Sequence, residues 1–193
     1  MALVFAYGSL VSRASAQRTL GARVEIAAPA RLRGWRRRWS TARDNLVAEK
    51  TFAPADGGEP FRYCLGLNLE ADPGAAGPNG ALLRVTESQL ARLDLRELRY
   101  RRAEVTGMVD AGAGVDVDGE VVAYVAKPGH HAPEPPPGSV ILAAYVRAVE
   151  SAFEGLGAGA LELYRATTDR RPVDVVEGVL VEEAAPPGNP THW

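Results

Sequence analysis

Ala2-Leu3-Val4-Phe5-Ala6-Tyr7-Gly8-Ser9-Leu10 opens the chain with five apolar residues, a tyrosine and a glycine. A short unbroken apolar run that stops at glycine reads as a buried first strand over residues 2–7, so the chain starts inside its own core. Gly8 can take backbone conformations closed to other residues, and successive N–H groups exposed there can hold a carboxylate or phosphate. An ordinary turn explains the same four residues, Tyr7-Gly8-Ser9-Leu10. The stretch is too short for a GxxxxGKS phosphate loop, and Ser9 lacks the second glycine of a GxSxG nucleophile elbow.

Outward from this strand, Phe61, Tyr63, Leu65, Leu67 and Leu69 fall at every second position, the period of a half-buried strand. Residues 80–85 read as another strand. Thr86-Glu87-Ser88-Gln89 then has capping-box spacing, which predicts a helix over 87–97. Strands follow at 102–108 and 120–126. The spacing of Ile141, Leu142, Tyr145, Val149 and Phe153 predicts a second helix over 141–153. Mostly strands with two inserted helices is the order of an α+β fold with a curled mixed sheet or small barrel, not of a βαβ repeat. Pro- and Gly-rich stretches at 54–60, 72–80 and 128–138 read as surface loops, and 186–193 as a disordered tail. Residues 1–185 are then one domain.

Composition narrows the function. The 193 residues are 46% apolar and 24% charged, the balance of a soluble globular protein able to bury a core. A net charge of -2 argues against nucleic acid or an anionic membrane as partner and suits a small neutral or zwitterionic ligand. Cys64 stands alone and cannot form an internal disulfide. The N-terminus has no basic leader before a long apolar run, and no apolar stretch nears the ~20 residues of a membrane helix, so the expected location is cytoplasmic.

On the first predicted helix, Leu90, Leu93 and Glu97 share a face, which aims Glu97 at the core side. A carboxylate there loses hydration, and its pKa rises toward the range useful for proton transfer. The alternative is a structural ion pair with Arg96, Arg99 or Arg101 at the helix end.

Four blocks, in order, carry a resemblance. Phe5-Ala6-Tyr7-Gly8-Ser9-Leu10-Val11 resembles the YGSL signature of the gamma-glutamylcyclotransferase superfamily. Ala30-Arg31-Leu32-Arg33-Gly34-Trp35-Arg36-Arg37-Arg38-Trp39 resembles the stretch that follows in its ChaC-type, glutathione-cyclotransferase-like branch. Leu93-Asp94-Leu95-Arg96-Glu97, with Tyr100, resembles the helix end bearing the family's catalytic glutamate, and Ala123-Tyr124-Val125-Ala126-Lys127-Pro128 its later tyrosine strand. The resemblance implies a small mixed β-barrel with a few flanking helices, no cofactor, and release of 5-oxoproline from a small γ-glutamyl peptide or amine. It assigns catalysis to Glu97, the substrate carboxylate to the N–H groups of Gly8, Ser9 and Leu10, and the pocket lining to Tyr7, Tyr100 and Tyr124. Gly129-His130-His131 departs from the ChaC-type pattern, as does the C-terminal third, which leaves the leaving amine and the oligomeric state unassigned.

Other conspicuous residues have plainer explanations. Adjacent His130 and His131 usually point apart and have no His or Cys cluster beside them, so no metal is expected. Five arginines over 31–38 alternate with Trp35 and Trp39 without a clean basic face. Solvated arginines flanking buried tryptophans fit better than an RNA-binding stripe. Cys64 lies opposite in parity to Tyr63 and Leu65 and reads as packing. The alternative function is a non-catalytic member of the same fold that binds a small amino-acid-like ligand or a protein.

Overall fold

The computed structural model describes residues 1–21, 25–112, 117 and 119–184; the tail at 186–193 lies outside the described residues. In chain order the elements are β1 (Ala2–Ala6), a 3-10 turn (Ser9–Val11), α1 (Arg13–Leu20), β2 (Glu25–Leu32), β3 (Trp35–Asp44), β4 (Lys50–Pro54), β5 (Tyr63–Ala71), β6 (Asn79–Val85) and α2 (Glu87–Arg96). There follow β7 (Tyr100–Glu104), a 3-10 turn (Thr106–Met108), β8 (Val109–Asp110), β9 (Val121–Ala126), β10 (Ser139–Leu142), α3 (Ala143–Glu154), α4 (Ala160–Ala166), β11 (Val175–Val176) and β12 (Gly178–Glu183).

The apolar run of β1 has a direct cause. β1 pairs antiparallel with β6 on one edge and parallel with β9 on the other, at the centre of the order β7-β9-β1-β6-β2-β8. Covered on both faces as well, it keeps no polar position, and Leu3, Val4, Phe5 and Ala6 are all buried. A second sheet runs β11-β10-β5-β3, and β4 pairs with β12 as a ribbon. The Asn68 side chain on β5 accepts the Ala126 N–H of β9 at 2.8 Å, tying the second sheet to the first. The result is a curled, mixed α+β half-barrel with four α-helices among the described residues.

α2 begins where its capping box places it. The Thr86 hydroxyl accepts the Gln89 N–H at 3.2 Å, and the Gln89 side chain returns to the Thr86 N–H at 2.9 Å. Leu90 and Leu93 are buried on the inner face. Thr86→Ala removes one of these two bonds, and urea unfolding should show a loss of about 1 kcal/mol.

Several expectations shift. The predicted helix over 141–153 starts two residues late, because Ile141 and Leu142 belong to β10, paired in parallel with both β5 and β11. The strand expected over 102–108 is β7, which starts at Tyr100 and gives way to a 3-10 turn. Two helices beyond the expected pair, α1 and α4, appear; α1 carries a Ser12 cap and a Gly21 with φ of 64° at its end. The arginine-rich stretch divides between β2 and β3. Arg33 and Gly34 (φ 75°) turn the chain between β2 and β3, and Arg37 is fully buried where solvated arginines were expected. β5 is not half-buried either, since Cys64 and Asn68 on its other face are covered too. His131 lies against Glu70, with Nε2 2.9 Å from Oε1. No helix among the described residues is long and apolar enough to cross a membrane.

Candidate active site

Two adjoining hollows open beside the turn that follows β1. The smaller, about 40 Å³, is lined by all seven residues singled out from the sequence: Tyr7, Gly8, Ser9, Leu10, Glu97, Tyr100 and Tyr124. Phe5, Ala6, Leu67 and Tyr145 complete it. The larger, about 450 Å³, lies between α1, α3, the end of α2 and the β3, β4 and β5 strands. The two hollows share Ser9, Glu97, Tyr100 and Tyr145.

Glu97 occupies the C-cap of α2, four residues past Leu93, whose carbonyl accepts its N–H at 2.8 Å. Its own carbonyl accepts the Tyr100 N–H at 2.8 Å, so the same turn delivers both side chains to the hollows. The carboxylate is 17% exposed, and Oε1 lies 3.2 Å from the Arg96 Nε. Burial pushes its pKa above the usual carboxylate value, and the guanidinium groups of Arg96 and Arg99 pull against that rise. Both readings of Glu97 therefore meet: it is desolvated and it is paired.

Arg96 is the part the sequence did not single out beyond a pairing role. It is 6% exposed and donates to Thr19 Oγ1 at 2.6 Å, the Ser15 carbonyl at 3.2 Å, Ser15 Oγ at 3.1 Å and Ser9 Oγ at 3.1 Å. One side chain thus fixes the end of α2 against α1 and against the turn after β1. Tyr145 was equally hidden, as an apparent core residue of a helical stripe. Its ring meets Trp39 edge-on at 5.9 Å.

The phenols are spoken for as donors. Tyr7 donates to the Tyr124 carbonyl at 2.6 Å, Tyr124 to Asp94 Oδ1 at 2.8 Å, and Tyr100 to the Leu67 carbonyl at 2.9 Å. Toward a ligand these oxygens offer lone pairs, which suits an ammonium group. Burial raises the pKa of all three and the charge of Glu97 adds to it, so they stay neutral. Gly8 has φ of −136° and ψ of −138°. A Cβ there would lie 3.4 Å from the Tyr145 hydroxyl and 3.7 Å from Leu67 Cδ1, inside the small hollow. In the turn, Val11 and Ser12 donate back to Gly8 and Ser9, while the N–H groups of Ser9 and Leu10 have no backbone acceptor among the described residues. Cys64 is buried, its pKa raised by desolvation, with Sγ 3.6 Å from Asn45 Oδ1. The described residues contain no cluster of three His, Cys, Asp or Glu able to hold a metal.

This curled α+β half-barrel is the fold of the gamma-glutamylcyclotransferase-like proteins. The chain belongs to the family described as Gamma-glutamyl cyclotransferase, AIG2-like, whose model matches residues 4–141. Among solved structures, YkqA from Bacillus subtilis is 22% identical with a TM-score of 0.57, covering 89% of this chain and 55% of that one. The present chain thus spans about half the length of YkqA. A Gamma-glutamyl cyclotransferase is 17% identical with a TM-score of 0.56, covering 91% of this chain and 93% of that one. The human protein loc79017 is 18% identical with a TM-score of 0.56 and the same 91% and 93% coverage. At these identities the likeness establishes fold alone. No curated protein sequence matches the chain.

Proposed function

We propose that residues 1–185 form one cytoplasmic γ-glutamylcyclotransferase domain, which releases 5-oxoproline from a γ-glutamyl peptide or amine with Glu97 as proton carrier. The observation that carries this reading is the poorly hydrated Glu97 carboxylate at the junction of the two hollows, beside the turn after β1. The substrate contains its own nucleophile. Its α-amine reaches its γ-carbonyl and closes a five-membered ring, and holding it folded for that attack is worth up to about 7–11 kcal/mol of barrier. Glu97 takes a proton from the α-ammonium. The freed nitrogen forms a bond to the γ-carbon and gives up a second proton as the bond from that carbon to the leaving amine breaks; through Glu97 both protons pass to the departing nitrogen, which leaves as an ammonium. Atoms and charge balance with no water, metal or cofactor consumed.

In this reading the small hollow takes the amino-acid end of the substrate. The N–H groups of Gly8, Ser9 and Leu10 hold the α-carboxylate, and the oxygens of Tyr7, Tyr100 and Tyr124 face the α-ammonium. The volume supports it: about 40 Å³ exceeds the roughly 10–15 Å³ that one water needs and suits a small polar group. The ChaC-type character of residues 30–39 and 123–128 makes glutathione one substrate to try. The test is a mass-spectrometric screen of γ-glutamyl peptides and amines for 5-oxoproline, with Glu97→Gln run beside the parent protein. Release by the parent alone is the expected result; a parent inert toward every compound points to a ligand-binding module instead.

Gly8→Ala separates the site from the fold. A Cβ at Gly8 meets its neighbours only at van der Waals distance, so the melting temperature stays near that of the parent. The added methyl enters the substrate hollow, and kcat/KM for 5-oxoproline release falls about 10- to 100-fold. A variant that keeps full activity would remove the small hollow from the mechanism.

A further inference from the structure

The larger hollow carries more positive than negative charge. Arg18, Arg43, Lys50, Arg96 and Arg99 line it, against the carboxylates of Glu49 and Glu97. Three of the five cations are engaged by carboxylates. Arg99 grips Glu49 at 2.5 and 3.1 Å, Arg96 meets Glu97, and Lys50 lies 3.4 Å from Glu183. Arg43 and Arg18 have no carboxylate within ion-pair distance among the described residues. The Arg43 guanidinium donates to Asn45 Oδ1 at 2.9 Å and sits over the Phe52 ring at 5.1 Å. It is thereby held in place by neutral groups, and its charge also acts on Glu49.

Position makes the surplus useful. Thr41 and Arg43 are two apart on β3, on one face, and both line the large hollow. Arg18 stands exposed at the rim, on α1. Phe52, Leu65 and Leu142 give the same space an apolar wall. The small hollow has room only for the amino-acid end of a γ-glutamyl group, so whatever leaves as the amine lies in the large one.

We propose that the large hollow selects γ-glutamyl compounds whose leaving amine carries a carboxylate, read by Arg43 from the β3 wall and by Arg18 at the rim. This rests on the cyclotransferase reading above. A guanidinium steadied by a neutral amide and an aromatic face is poised for a carboxylate, which it binds through paired N–H groups. A polyamine leaving group meets the reverse: one or more positive charges entering a space that already holds an excess of them.

The test compares γ-glutamylalanine with γ-glutamylalaninamide, which differ only in the leaving group's carboxylate, using parent, Arg43→Gln, Arg43→Lys and Arg18→Gln proteins. Two readouts are taken, 5-oxoproline release and calorimetric binding. The parent should favour the acid over the amide by about 10- to 100-fold in kcat/KM or affinity. Arg43→Gln should collapse that ratio, Arg43→Lys should keep part of it, and Arg18→Gln should lower it modestly. Equal use of acid and amide by the parent, or an equal fall for both in Arg43→Gln, overturns the proposal. Release of 5-oxoproline without acid preference leaves the cyclotransferase reading standing and this one rejected. Acid-selective binding with no 5-oxoproline from any compound does the opposite.

Discussion

Glu97→Gln is expected to lower kcat/KM for 5-oxoproline release by about 10²- to 10⁴-fold, the range for removing a general acid–base group, without loss of thermal stability. An amide neither takes the ammonium proton nor returns one to the leaving nitrogen. Stability is spared because the charged form of Glu97 is not favoured where it sits. Burial outweighs the pull of Arg96 and Arg99, so the folded pKa lies above the unfolded one. The stability Glu97 contributes is therefore complete below its unfolded pKa and is lost as pH rises through the folded value. At neutral pH the parent bears that cost and the glutamine variant does not. The pH profile follows from the same shift. The acid limb of kcat/KM, where the base becomes protonated, lies above the ordinary carboxylate range in the parent and is missing from the residual activity of the variant. Activity retained within threefold of the parent, or a large drop in melting temperature, would reject the role.

Glu97 is legible in sequence because every signal that places it is local. Thr86 and Gln89 set the start of α2, Leu90 and Leu93 set its inner face, and Glu97 falls on that face by counting. The same holds for β1 and the turn after it, where an apolar run ends at glycine. Arg37 shows the opposite case. Its neighbours in sequence are Arg36 and Arg38, both partly exposed and paired with Asp169, and nothing local separates the middle arginine from the outer two. What does so is a set of carbonyl and hydroxyl oxygens from residues 7, 79, 164, 167 and 168, which only the fold assembles. β10 fails for a related reason. Ile141 and Leu142 continue the helical spacing of α3, but they pair in parallel with Val175 and Val176 of β11, about 30 residues later, while Ser139 and Val140 before them pair with Tyr63 and Cys64 of β5. Tyr145 reads as core because a helical stripe does not say which of its members faces a cavity.

Arg37→Met is expected to destabilise the protein by about 3–5 kcal/mol, a fall of roughly 10 °C or more in melting temperature. The guanidinium is fully buried and lies beside the stacked Phe153 and Tyr164 rings, 4.9 and 4.4 Å from their centres. It donates to the carbonyls of Tyr7 at 3.0 Å, Asn79 at 2.8 Å and Tyr164 at 3.3 Å, and to the side chains of Asn79, Thr167 and Thr168 at 3.0, 3.2 and 2.8 Å. Methionine fills much of the space and satisfies none of these oxygens. A buried ionic network can be exchanged for apolar side chains when every partner is exchanged with it. Here three partners are main-chain carbonyls, which no substitution removes, so each is left without its donor. The loss reaches the site as well. The Tyr7 carbonyl precedes Gly8, and Arg37 ties it to the Asn79 carbonyl of β6, so without the guanidinium kcat/KM falls in the fraction that remains folded. Arg37→Lys should recover only part of the stability, since one ammonium with three donors cannot span acceptors arranged for a planar fork. Denaturant unfolding of the three proteins decides it: a methionine variant within 1 kcal/mol of the parent would mean that this buried cation contributes no more than the volume it fills.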